Sequence, residues 1–250
     1  MESKPNIPIR KSWGQNFIID KNIINKIIKS IDPNSNDTIL EIGPGKGALT
    51  IPLSSKVKDI IAIEIDPMLC DFLNSKNIKN LNIVNQDILK WENTNYLDEV
   101  KIIGNLPYNI SSPIIFKFLN TPYWNEMIIM VQKELADRMI ANVSTKDYSR
   151  MSIMIQTFCK IEDRFNISKH IFHPKPKVES SIIKLKRKEI DINYAKFSKF
   201  IKKMFKQRRK KIKNNLTTET ELEFFKNFLD LRPENIKVEN YLEIFQKING

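Results

Sequence analysis

Three of the chain's six glycines fall within five residues, in Gly43-Pro-Gly-Lys-Gly47, directly after the apolar run Thr38-Ile-Leu-Glu-Ile42. Glycine alone accepts left-handed backbone and close approach by another group without steric cost, so this concentration in a glycine-poor chain demands a tight local turn. A buried strand, a glycine-rich turn and then Ala48-Leu-Thr-Ile51 make the opening unit of an α/β domain that lets a nucleotide-like ligand approach its backbone. The spacing departs from the dinucleotide fingerprint, which wants its third glycine three positions after the second, whereas here the third is Gly47. More apolar runs follow, at Ile60–Ile65, Leu81–Asp87, Val100–Gly104 and Glu126–Gln132. Their alternation with helical segments predicts a mostly parallel sheet.

Polar residues end these strands where open α/β sheets place their ligands. Glu64 lies 21 residues beyond Gly43, near the ~20 expected of a ribose-binding acid. Asp87 ends the next run and is placed to accept from an adenine amine. Each acid alone reads more readily as a solvated strand terminus or a helix cap, but three successive strands ending in Gly43, Glu64 and Asp87, and a fourth in Asn105, reverse that preference. The run Val100–Gly104 leads into Asn105-Leu-Pro-Tyr108, a side-chain amide, a rigid proline and an aromatic ring. Those parts suit methylation of a nucleobase exocyclic amine, whose lone pair is delocalised into the ring. The amide oxygen of Asn105 and a backbone carbonyl near Pro107 accept the two amine hydrogens, while Tyr108 stacks on the base. The plain alternative is a strand-ending turn with a core tyrosine.

An acid before Gly-x-Gly-x-Gly, here Glu41, resembles the S-adenosylmethionine loop of class I methyltransferases. Together with Gly14-Gln-Asn-Phe17, Asn105-Leu-Pro-Tyr-Asn-Ile-Ser111 and Phe172-His-Pro-Lys-Pro-Lys-Val178, it resembles the KsgA (RsmA) family of small-subunit rRNA adenine dimethyltransferases. The likeness runs from Gly14 to at least Leu216, and Arg232–Ile236 extends it. Departures are Ile18 for a commoner leucine, Ser149 where Tyr-Gly-Arg is usual, and a short loop before Tyr148. The resemblance implies a Rossmann-like class I methyltransferase domain with a mostly parallel seven-stranded sheet (1–189) and a small all-helical C-terminal domain that binds RNA (190–250). It implies S-adenosyl-L-methionine held by Asn16, Ile18, Gly43, Gly45, Glu64, Asp87 and Asn105. The catalytic set is Asn105, Leu106, Pro107, Tyr108 and Phe172, with the target adenine between Tyr108 and Phe172. The substrate implied is two adjacent adenosines near the 3′ end of 16S rRNA, each dimethylated by direct transfer within an assembling small ribosomal subunit. Two other readings stay in view. One is the related large-subunit methyltransferase of antibiotic resistance, against which stand Gly-Pro-Gly, Leu106 and the Phe172–Val178 segment. The other is an RNA-binding assembly or transcription factor that has lost catalysis, against which stand the intact Gly43, Glu64, Asp87, Asn105 and Tyr108.

Charge and composition fit. Lys196–Lys213 carries ten basic residues and no acid, so the rest of a chain of net charge +12 is nearly balanced. Apolar residues from Phe197 to Leu216 recur at helical spacing, which predicts an amphipathic helix. Its basic face, including Lys206, Arg208, Arg209, Lys210 and Lys211, suits RNA phosphates, though a solvated helix or a membrane surface also fits such charge. Cys70 and Cys159 lie far apart and His170 and His173 are too few for a zinc cluster, which predicts a reduced compartment and no metal. The N-terminal text has no apolar signal core and no run nears the ~20 residues of a membrane helix. A cytoplasmic monomer is expected. Asp20 is placed to cap a helix bearing Ile23, Ile24, Ile27, Ile28 and Ile31, and Ser111 or Ser112 to cap the one after Tyr108. Ile161–Lys169 and Ser180–Lys188 read as antiparallel edge strands.

Overall fold

In the computed structural model, which describes residues 8–10, 13–92 and 99–249, an N-terminal arm leads into a two-residue strand β1 (Phe17–Ile18) and helix α1 (Lys21–Ile31). Asp20 caps α1 as expected, its carboxylate accepting from the amides of Asn22 and Ile23 at 2.8 and 3.1 Å. Ile27, Ile28 and Ile31 are buried on one face. The apolar runs become β2 (Thr38–Ile42), β3 (Asp59–Glu64), β4 (Leu81–Asn85), β5 (Val100–Asn105) and β6 (Trp124–Gln132), all parallel. Helices α2 (Thr50–Ser54), α3 (Pro67–Asn74) and α4 (Ser111–Leu119) lie between them, and α5 (Lys133–Met139) and α6 (Arg150–Phe158) follow. Three further strands are β7 (Cys159–Ile167), β8 (Phe172–His173) and β9 (Ser180–Arg187).

The sheet runs β4-β3-β2-β5-β6-β9-β7. The two strands that flank the proline-rich loop are therefore not both at the edge. Only β7 is; β9 inserts antiparallel beside β6, from Gln132↔Ser180 to Glu126↔Lys186. Its first four residues are all buried, as a strand covered on both faces requires. The order reverses between β2 and β5, whose carboxyl ends diverge to open a crevice. There the register pairs Ile42 with Gly104. A Cβ on Gly104 would stand 2.6 Å from the Ile42 carbonyl oxygen, so no other residue fits without parting the strands.

Two local expectations change. Neither serine caps α4: Ile110 holds that position, and the Ser111 hydroxyl donates instead to the Pro107 carbonyl at 2.8 Å. Phe172 presents no open ring. Strand β8 pairs with β1 as Phe17↔His173 and Ile18↔Phe172, and period-two alternation turns Phe172 inward and His173 outward. Phe172 is 3% exposed, in the core cluster with Ile18, Ile28, Met130 and Ile182.

The described residues group into two compact units, one within Met1–Lys133 and Ile161–Lys186, the other within Glu134–Lys160 and Arg187–Gly250. The second takes in Glu134–Lys160, hence most of α5 and all of α6, which sequence order alone assigns to the first domain, together with the segment from Arg187. It contains α7 (Tyr194–Met204), α8 (Glu219–Phe224) and α9 (Val238–Asn249). Phe197, Phe200, Phe225, Tyr241 and Phe245 interlock there, with ring centroids 5.1 Å apart for Phe197–Phe245. The basic helix ends at Met204, well short of Leu216. Buried Asn215 folds back, donating to the Met204 carbonyl at 2.9 Å and accepting from the Gln207 amide at 3.0 Å. Those bonds satisfy the helix end that further turns would otherwise have satisfied.

Burial of Phe172 has a measurable consequence. Phe172→Ala is expected to destabilise the protein by about 3–5 kcal/mol, as for other buried phenylalanines. Denaturant unfolding checks this; a loss below about 1 kcal/mol would instead assign the ring to the surface.

Candidate active site

The crevice at the β2/β5 switch is a cavity of about 410 Å³. Glycine torsions form one wall. Gly43, Gly45 and Gly47 have φ of 66°, 57° and 78°, the left-handed region that side chains other than glycine's rarely enter. A Cβ on Gly43 would meet nothing within 4 Å, whereas one on Gly45 would lie 3.1 Å from the Phe17 ring. The loop backbone is thus bare towards the cavity and closely backed by the arm.

Of the residues expected from sequence to bind the cofactor, Asn16, Ile18, Gly43, Gly45, Glu64, Asp87 and Asn105 all line this cavity, as does Pro107. Glu64 ends β3 and is 5% exposed, its carboxylate accepting from the Gly45 amide at 3.2 Å and the Asp66 amide at 3.0 Å. Burial raises its pKa, and the bonds from the amides of Asp66, Gly45 and Ile65 pull it back. Asp87 accepts from the Leu89 amide at 2.9 Å, a local turn that holds its side chain just beyond the end of β4.

Asn105 is held most specifically. Its Nδ2 donates to the Asn16 carbonyl at 2.7 Å. A carbonyl cannot donate, so the contact dictates the amide's orientation and turns Oδ1 away from the arm. The other motif residues fill distinct places. Leu106 is buried and its amide donates to the Met130 carbonyl at 3.0 Å. The Pro107 carbonyl accepts from the Ile110 amide at 3.1 Å and from Ser111. The half-buried Tyr108 shares a hydrogen bond with the Ser180 hydroxyl at 2.5 Å, while burial raises its pKa. Neither Tyr108 nor Phe172 is among the described residues that line the cavity; His173 is.

Some lining residues are ones that sequence alone does not assign to a site. Glu41, in sequence simply the acid before the glycine loop, is 2% exposed on the cavity. It accepts from the Thr50 hydroxyl at 2.7 Å. Burial, opposed by that bond and aided by the Glu64 charge, pushes its pKa up to about 7. Ile65 and Ile88 add apolar walls. A signal for these two is present, since each immediately follows a strand-end acid.

In the second unit the basic segment divides. Lys206, Arg209 and Lys210 are exposed. Arg208 does not project free: its Nε meets Glu234 at 2.7 Å and its other end bonds the Lys146 carbonyl. Lys211 and Lys213 meet Asp230 at 2.8 and 3.2 Å, in well-exposed pairs of little strength. The acids come from distant sequence, so an acid-free stretch is no guide to pairing. Among the described residues no helix is long and apolar enough to cross a membrane, and no three His, Cys, Asp or Glu side chains cluster as metal ligands.

Comparison with known proteins shows the family. The family model for ribosomal RNA adenine dimethylase matches residues 6–249. The ribosomal RNA small subunit methyltransferase A of Borreliella burgdorferi is 40% identical over 96% of this chain and 89% of its own length. The protein of the same name from Mycoplasma mobile is 41% identical over 96% of this chain and 98% of its own. A crystal structure of a dimethyladenosine transferase from Plasmodium falciparum superposes with a TM-score of 0.83 at 27% identity, covering 93% of this chain and 97% of that one. The crystal structure of the 23S rRNA methyltransferase ErmE shares the fold, with a TM-score of 0.71 at 24% identity over 94% and 100% of the two chains. The chain belongs to the ribosomal RNA adenine dimethylase family, as an S-adenosylmethionine-dependent rRNA methyltransferase of the class I fold.

Proposed function

We propose that this enzyme dimethylates the exocyclic amines of two adjacent adenosines near the 3′ end of 16S rRNA in the assembling small ribosomal subunit, acting as a cytoplasmic monomer. The observation that carries the reading is the Asn105 amide, aimed by the Asn16 carbonyl beside a cavity lined by Glu64 and Asp87. The chemistry of that lining fits S-adenosylmethionine. Its acceptors, Glu41, Glu64 and Asp87, match a cationic ligand whose ribose hydroxyls and adenine amine are donors, and Ile65 and Ile88 match the purine faces. Gly43 and Gly45 admit the ligand against backbone. When bound, the cofactor supplies an electrophilic methyl group.

The protein's own part is placement. Asn105 Oδ1 accepts one hydrogen of the target amine. Because the Pro107 carbonyl already serves the turn through Ile110 and Ser111, the second acceptor is the carbonyl of Leu106. Two acceptors draw the lone pair out of conjugation and aim it into the cavity, and Tyr108, steadied by Ser180, stacks on the base. Positioning of this kind removes several kcal/mol of barrier. Phe172, packed under the Phe17–Ile18 strand, supports the arm from below and is replaced as the open stacking face by Tyr108. Lys206, Arg209, Lys210 and Lys211 meet RNA phosphates. Unmethylated small subunits incubated with labelled cofactor and then mapped test the reading directly. Label at two adjacent adenosines near the 16S 3′ end is the expected outcome, and label elsewhere or nowhere rejects it.

Three sets of variants probe the parts. Asn105→Ala is expected to slow single-turnover methyl transfer, with both substrates saturating, by about 2–4 kcal/mol. Asn105→Asp is not expected to restore the rate near neutral pH, because its carboxylate would oppose the Asn16 carbonyl; wild-type rates from aspartate would dismiss the role of amide orientation. Glu64→Ala is expected to weaken cofactor binding by about 1.5–3 kcal/mol in calorimetry. Since burial raises the Glu64 pKa and the ionised form is the acceptor, wild-type affinity should fall as pH is lowered, beginning above the ordinary carboxylate range. Affinity insensitive to both changes would remove Glu64 from the site. Replacing Lys206, Arg209 and Lys210 by glutamine should reduce the log–log salt slope of RNA binding by roughly 0.7–0.9 for each phosphate that is no longer neutralised. An unchanged slope would return these residues to plain solvated surface.

A further inference from the structure

The arm that orients Asn105 is itself clamped. Asp66 is fully buried at the start of α3. Its Oδ1 accepts from the Met68 amide at 3.1 Å and its Oδ2 from Gln15 Nε2 at 2.9 Å. Gln15 Oε1 accepts from the Arg10 amide at 2.8 Å, and the Arg10 guanidinium stands 3.7 Å from Asp66 and over the Trp13 ring at 4.4 Å. Asn16 follows at once, and its Nδ2 donates to the Gly14 carbonyl at 2.9 Å. Beyond it, Phe17–Ile18 is paired with β8. The Asn16 carbonyl is therefore suspended between two fixed points, and only the clamp is made by polar side chains.

We propose that Gln15 and Asp66 are positioning residues for methyl transfer, acting through the Asn16 carbonyl to hold the Asn105 amide in its working orientation. The inference rests on the function proposed above. A buried carboxylate that accepts one hydrogen bond from a side-chain amide fixes that amide's register, because the carboxylate left alone is a buried acceptor short of one bond. The two polar ends of Gln15 join Arg10 to Asp66, which ties both Arg10 and Gln15 to the start of α3. Asp66 also donates its own amide to Glu64 at 3.0 Å, so the clamp and the expected ribose acceptor share one turn.

The polarity of the bond offers a test. Gln15→Glu places a carboxylate against Asp66, and Asp66→Asn places an amide donor against Gln15, so each single variant breaks the contact. The double variant Q15E/D66N rebuilds it reversed: an asparagine at 66 donates, a glutamate at 15 accepts, the acceptors for Met68 and Arg10 remain, and net charge is unchanged. Each single variant is expected to lower the saturated single-turnover rate about tenfold, equivalent to one hydrogen bond, with cofactor affinity changed by less than about threefold. The double variant should recover most of the rate. In ¹⁵N spectra the Asn105 side-chain amide, read without cofactor or RNA, should be hydrogen-bonded and slow to exchange in wild type and double variant and fast in the single variants. Single variants with wild-type rates and wild-type Asn105 exchange overturn the proposal, as does a double variant that folds normally yet recovers neither. A wild-type protein that labels no adenosine would instead indict the proposed function, while the exchange measurement still decides the clamp.

Discussion

The close approach of β2 and β5 is the constraint on which the site depends. Gly104 lies opposite Ile42 with no room for a side chain against the Ile42 carbonyl. That contact joins the two halves of the sheet at the place where the strand order reverses. Because the connections of β2 and β5 leave in opposite directions, their carboxyl ends part, and the crevice between them is inherent in the topology. The glycine loop after Ile42 and the Asn105–Tyr108 segment after Gly104 are thereby brought face to face. Every later feature, from the cofactor-sized cavity to the aimed amide, is built on that junction.

Burying carboxylates in such a crevice is costly, and the chain offsets the cost with local donors. Glu64 takes the backbone amides of Gly45, Asp66 and Ile65, Asp66 takes Met68 and Gln15, and Glu41 takes the Thr50 hydroxyl. Glu41 has the fewest, and burial lifts its pKa to about 7. A group whose folded pKa exceeds its unfolded value of 4.5 binds more protons when folded between those two points, so its contribution to stability declines as pH rises through that window. The site thus holds its acceptors in a state poised to gain from a cationic ligand.

The second unit separates charge that builds from charge that is offered. Arg208 and Lys203 are committed to Glu234 and Glu221, and these pairs secure the turns that follow α7. Lys206, Arg209 and Lys210 remain exposed. One run of cations is therefore two populations, and the acids that distinguish them lie more than ten residues away in sequence.

Strands, the glycine turn and the strand-end polar residues are legible in the sequence because they depend on short-range periodicity and on chemistry special to a few residue types. Glu64, Asp87, Asn105 and Gly43 stand on the cavity where the order of strands and turns puts them, and the Asp20 cap is local in the same way. What needs tertiary structure are the choices that involve residues far apart. Whether a strand is central or at the edge depends on its neighbours, so β9 lies inside the sheet although its own residues read equally well as an edge. Whether an aromatic ring faces a ligand or the core depends on the register of a distant strand, and pairing with Ile18 buries Phe172. Whether a helix continues depends on what else can satisfy its end, and Asn215 does so from beyond the turn. The orientation of Asn105, likewise, is decided by a backbone carbonyl 89 residues earlier, because a hydrogen bond is set by proximity in space, which sequence spacing does not encode.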